Sequence, residues 1–206
     1  PFFRIYSELK NVEFLSPLSS LTKDKTKTLP TEILITNFLN PSLKLHNQLI
    51  DLHIRDLNKY EGYISIGKKL PEEFVDFNKE PGLNLYLYID SLNQNFLDLI
   101  FAENKGPSAI ELNKVGFNVK NLQFHKNNYS NVAGMFDFMN SEVKGYLTAE
   151  KLNLNLRIDK TKFMRIEISN STISDLSFLN STQPPSNFSI NSRLIVRDSS
   201  FGKIQI

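Results

Sequence analysis

Leu83, Leu85, Leu87 and Ile89 fall on one side of an alternating run whose other side carries Asn84, Tyr86 and Tyr88. A period of two is the mark of a pleated strand with one face turned to a core. The same rhythm returns over 152–158, where leucines and Ile158 alternate with Asn153, Asn155 and Arg157. It returns again over 50–55, where Ile50, Leu52 and Ile54 alternate with Asp51, His53 and Arg55. Shorter alternations predict strands over 32–35, 62–66, 115–119, 164–168 and 193–196, with further candidates at 2–6 and 204–206.

Helical spacing is rarer. Ser91 is a good cap for a helix over 91–104 whose Leu92, Phe96, Leu99 and Ile100 form one stripe, ended by Gly106 and Pro107. A shorter turn is expected from Leu70, where Pro71 suits the first helical position and Glu72 and Glu73 complement its positive end. Over 130–139 the pattern is mixed, and Ser130, Val132, Phe136 and Met139 favour a short helix. Polar loops are expected over 17–31, 78–82 and 180–187, the last around Pro184-Pro185. With 8 glycines in the chain, asparagine is expected at many turns, since it tolerates positive φ.

No long helices alternate with the strands, which argues against a parallel doubly wound sheet. The expected fold is mainly β: an antiparallel β-sandwich or a jelly-roll-like arrangement of eight to eleven strands, with one or two short helices. It is read as one β-rich domain over 1–206, with a candidate seam near Gly145 and a strand-repeat segment over 146–206. In that segment Ile158, Phe163, Ile168, Ile173 and Phe178 recur every fifth residue, and Phe201 and Ile206 keep the interval. This spacing resembles a pentapeptide-repeat β-helix and implies, as an alternative, a β-solenoid-like C-terminal part. The position two residues earlier departs from that family's small residue at Leu156, Ile166, Leu176 and Ile204.

Composition narrows the chemistry. The chain has 206 residues, enough for a substantial core, and a formal charge of +2 that selects no strongly charged partner. It contains no cysteine, so disulfides, thiolate metal sites and cysteine nucleophiles are excluded. The longest apolar runs are too short to span a bilayer, and Arg4, Glu8 and Lys10 interrupt the first of them. There is no Walker loop, GxSxG elbow, GxGxxG or HExxH. No cofactor and no metal are implied.

Three sets of residues remain as candidates. Asp51, His53 and Arg55 share the polar side of one strand, where an imidazole oriented by a carboxylate would serve a hydrolase-like reaction. Residues at i and i+2 of a strand stand about 7 Å apart, however, and a wet strand face carries mixed charges anyway. Carboxylates dispersed over several strands are a variant of the same idea. Tyr86 and Tyr88, with Asn84, would form a binding platform for sugar rings or a protein, unless that strand is covered on both sides. Lys160, Lys162 and Arg165 around Phe163 are the nearest approach to a nucleic-acid-binding face, and they equally suit a solvated edge. The leading expectation is a non-catalytic binding, scaffolding or assembly module acting on a protein partner or on itself. A small ligand or carbohydrate is the next expectation, and nucleic acid a weaker one.

Overall fold

The computed structural model describes residues 2–15, 22–67, 82–93, 112–124, 127–139, 142–173 and 192–201. Their elements are all strands: β1 (Phe2–Ser7), β2 (Thr31–Thr36), β3 (Ser42–His46), β4 (Ile50–Asp56), β5 (Glu61–Ile66), β6 (Leu83–Asn93) and β7 (Leu112–Phe124). There follow β8 (Asn127–Asp137), β9 (Val143–Ala149), β10 (Leu152–Ile158), β11 (Met164–Ser169), β12 (Thr172–Ile173), β13 (Ser192–Arg197) and β14 (Ser200–Phe201). Twelve of them form one sheet in the order β1 to β11 and then β13, while β12 and β14 make a separate two-stranded ladder. The class is therefore all-β. The strand order gives one sheet of consecutive neighbours and does not establish the two packed sheets of a sandwich or jelly roll.

The helical expectations fare differently. Among the described residues there is no helix. The residues Ser91 to Asn93 continue β6 as strand, and 94–104 lie outside the described residues, as does the turn expected at Leu70. The helix expected over 130–139 is corrected to strand, because β8 runs through Asp137 and pairs antiparallel with β9. Here the cross-strand ladder outweighs a helical spacing of only three apolar residues. Val132 is fully buried, and Phe136 lies directly across from Gly145. A Cβ at Gly145 would stand 2.1 Å from the Phe136 ring, so the glycine is what lets that ring lie on the strand. Gly145 is thus mid-strand in β9, held between β8 and β10.

The described residues cluster into two compact units, one holding the chain through Asp90 with 112–117, the other 91–93 and the chain from Asn118 on. In the first unit β1 to β5 pair antiparallel in sequence order, and β5 pairs parallel with β6. Its core includes Ile54, Leu83, Leu87 and Ile89, the last 1% exposed. Tyr86 and Asn84 are also buried, so β6 is covered on both faces. Gly67 follows β5 at φ +89, and a Cβ there would stand 1.7 Å from the Tyr88 carbonyl, which leaves room for no other residue.

In the second unit β8 to β11 pair antiparallel. Leu152 and Ile168 are buried and pack with Tyr129, Leu147, Ala149, Leu154 and Ile166. The five-residue spacing does not coil here: Ile158 and Met164 face each other across the β10–β11 hairpin, and Phe163 sits in its turn, partly exposed. The ladder becomes parallel only afterwards. Met164 faces Ser192 and Thr172 faces Ser200, 28 residues on in both cases. Each parallel strand ends in the same corner, with Asn170 at φ 47 and Asp198 at φ 46. The serine after each corner residue donates its hydroxyl to the carbonyl two residues back, Ser171 to Ser169 and Ser199 to Arg197, both at 2.7 Å. Each also accepts from the neighbouring rung, Ser171 from the Asn153 amide at 2.8 Å and Ser199 from the Ser171 amide at 3.1 Å. Among the described residues, asparagine supplies four of the eight non-glycine positions with positive φ (Asn11, Asn37, Asn131 and Asn170), as its tolerance of that region leads one to expect.

Candidate functional site

The register of the first unit gathers two of the sequence candidates onto one sheet face. One row across the strands reads Tyr6, Glu32, His46, Asp51, Ser65 and Tyr86. The next reads Arg4, Leu34, Lys44, His53, Tyr63 and Asn84. The opposite face is carried by Ile33, Leu45, Leu52, Ile64 and Leu85. This is the pleat's sorting of alternate residues to opposite sides, extended over six strands.

Asp51 is the centre of the polar face. Its residue is 8% exposed, and a buried carboxylate needs hydrogen-bond partners. The Tyr63 phenol donates to Oδ2 at 2.9 Å, and His46 Nδ1 stands 3.2 Å from Oδ1. His46 reaches it because the tight β3–β4 turn sets them opposite each other: Asn47 Oδ1 accepts the amides of Leu49 and Ile50 at 2.8 and 2.7 Å. The two bonds to Asp51 thus come from His46 and Tyr63, while His53, its neighbour at i+2, packs edge-on against Tyr63 with ring centroids 6.0 Å apart.

Burial, then the charges of Lys44 and Arg55, lower the His53 pKa, against a smaller opposing effect of Asp51. The ring is therefore neutral at pH 7. Burial and the bond to Asp51 push the Tyr63 phenol above its usual range, so it remains a donor. Arg55 is the residue at the register shift between Ile54 and Asp56, and it pairs with Glu61 at 3.7 Å. Among the platform residues, Asn84 is fully buried and donates to the Gly62 carbonyl at 3.1 Å, and Tyr86 is 3% exposed. Neither offers a surface to a ligand in this conformation. Tyr88, further along β6, is half-buried.

Glu32, Leu34, Lys44, His46, Asp51, His53 and Tyr63 border a cleft of about 210 Å³. Pockets for drug-sized ligands begin at roughly 300 Å³. The cleft can hold a small polar molecule or ion. Its lining contains no serine or threonine hydroxyl, and the tyrosine is kept protonated. Among the described residues no group of three or more histidines and carboxylates is placed to hold a metal ion. His46 is the site residue that the sequence does not single out; its signal is the short spacer 47–49, which makes it a register partner of Asp51.

The C-terminal cations lie elsewhere. Lys160 and Lys162 occupy the β10–β11 turn with Phe163, and Asp159 closes that turn by accepting from the Thr161 hydroxyl and the Thr161 and Phe163 amides. Arg165 follows on β11, facing Arg157 of β10. Among the described residues no helix is long and apolar enough to cross a membrane. Compared with protein families, with curated proteins and with solved structures, the chain matches none.

Proposed function

We propose that this chain is a non-catalytic binding and assembly module, and that it joins a second copy of itself by strand addition at β1. The observation that carries this reading is the state of that edge. Among the described residues β1 pairs with β2 alone, and Phe2, Phe3, Ile5 and Tyr6 are 71%, 53%, 41% and 67% exposed. Apolar side chains thus project from both faces of an edge strand. Edge strands are ordinarily guarded by lysine, proline, a bulge or a covering loop. Here the single charge within the strand, Arg4, is held by Glu32 at 2.9 Å.

A second copy suits this edge because β1 is self-complementary. In an antiparallel pair centred on Ile5, Arg4 faces the second copy's Tyr6 and Phe3 faces its Ser7, so no like charges meet. The exposed Phe38 and Leu39 lie in the turn after β2, beyond the Phe2 end of the strand, and extend the apolar area. Against a hydrolase-like role stand the small size of the Asp51 cleft and the engagement of its carboxylate by His46 and Tyr63.

Sedimentation velocity over a concentration series tests the proposal. The wild-type chain is expected to dimerise reversibly, and Ile5→Lys, which brings two cations together at the centre of the pair, to remain monomeric with an unchanged circular dichroism spectrum. A wild-type protein that stays monomeric through the micromolar range overturns the proposal. So does a dimer indifferent to Ile5→Lys.

A further inference from the structure

The polar face of the second unit carries an unusual row. Cross-strand register sets Lys144 opposite Arg157, Arg157 opposite Arg165, and Arg165 opposite Arg193. Four cations from β9, β10, β11 and β13 therefore stand side by side, with strands about 4.8 Å apart. Like charges placed directly opposite each other destabilise a sheet. Three such pairs in succession work against folding. The β10–β11 turn adds Lys160 and Lys162 at the same end of the strands, and Arg197 lies further along β13.

Among the described residues the neighbouring acids compensate only in part. Glu142 reaches Lys144 at 3.2 Å and Arg157 at 3.9 Å, and Glu167 reaches Arg197 at 3.3 Å and Arg165 at 4.0 Å. Asp137 faces Lys144 from β8, and Asp159 is engaged in its turn. Among the described residues, Glu142 and Asp137 offset the row on its β8 side, while on the β13 side Glu167 is divided between Arg165 and Arg197. The side chains of Lys144, Arg157 and Arg165 remain 58%, 60% and 50% exposed.

We infer that this face binds a single-stranded nucleic acid, with the row contacting successive phosphates. Three of the four cations are arginines, whose planar forks match phosphate oxygens in pairs. Tyr146 follows Lys144 by two residues on the same face, about 7 Å along the strand, and is 41% exposed. It offers a ring for a base to stack on beside the phosphate track, the combination that sequence-tolerant single-strand binders use. An anion in the row also removes the repulsion that the bare protein carries.

The test is fluorescence anisotropy with a short labelled oligothymidylate at a series of salt concentrations. Saturable binding is expected, with log affinity falling against log salt at a slope of about −2 to −3, as roughly three or four neutralised phosphates imply. The double variant Arg165→Gln, Arg193→Gln should weaken binding at least about five-fold and flatten that slope, since fewer counterions are released when fewer phosphates are neutralised. Tyr146→Ala should weaken binding while leaving the slope unchanged, whereas Lys59→Gln in the first unit should leave both unchanged. Arg165→Gln should also raise the thermal midpoint of the free protein. No binding at low salt overturns the inference. So do equal affinity for poly-glutamate, a preference for phosphatidylserine vesicles over the oligonucleotide, and an affinity indifferent to Tyr146→Ala.

Discussion

Tyr63 and Asp51 are bonded diagonally: the phenol donates at 2.9 Å to a carboxylate whose direct register partner on β5 is Ser65, two residues along. Diagonal neighbours on a sheet lie within reach of long side chains, and here the bond takes the carboxylate away from His53, the direct partner of Tyr63. The polar face is organised around that diagonal.

Removing the phenol oxygen should therefore be costly. Tyr63→Phe leaves Asp51 Oδ2 buried without its donor, a loss of about 1–3 kcal/mol. Urea denaturation of the variant should show a lower midpoint at an unchanged slope. A difference below about 0.5 kcal/mol would mean that water or a rearranged His46 replaces the bond.

His53 predicts a pH dependence. Its pKa is lowered in the folded state, so the unfolded chain binds more protons in the window below the ordinary value near 6.5. This contribution to stability is complete above that value and is lost as pH falls through the window toward the folded-state pKa. Thermal unfolding between pH 8 and pH 5 should show the wild type losing more stability on acidification than His53→Gln. Parallel curves for the two proteins would refute the assignment.

The corner serines give a third expectation. Ser171 is 3% exposed and uses its hydroxyl both to donate to Ser169 and to accept from Asn153. Ser171→Ala should cost about 1–3 kcal/mol, since it strands a buried amide and a carbonyl. Ser199→Ala should cost less, because Ser199 is more exposed and its hydroxyl serves one outer rung. Amide exchange should quicken at Asn153 in the first variant and at Ser171 in the second.

Strands with strict alternation are the legible part of this fold. The run 152–158 is β10 to the residue, and 83–89 lies within the longer β6. Alternation names the faces of a strand but not what covers them, which is why the sequence leaves Asn84 and Tyr86 open between a platform and a covered strand, and the structure buries both. The β8 segment mixes two periods, and pairing with β9 decides between them. In the candidate site, Asp51 and His53 are visible because they share a strand. Their real relationships run across strands, to His46 through a short turn and to Tyr63 on the diagonal, and such neighbours emerge only with register. Of the C-terminal residues spaced by five, Ile158 and Ile168 lie in the antiparallel β10–β11 pair and Ile173 and Phe201 face each other in the parallel β12–β14 pair, while Phe178 and Ile206 lie outside the described residues.

Those rungs share one spacer. Because β11 with β13 and β12 with β14 keep the same offset, the chain between the first pair of corners sets the phase of both ladders at once. Lengthening or shortening it within 174–191 displaces neither ladder against the other. Deleting one residue at a corner, between 170 and 172 or between 198 and 200, slides the short ladder by one position while the long one holds. That mutation inverts the sidedness of the one strand after the shortened corner and breaks the serine column. The two ladders are thus tied to each other at the bends of Asn170 and Asp198.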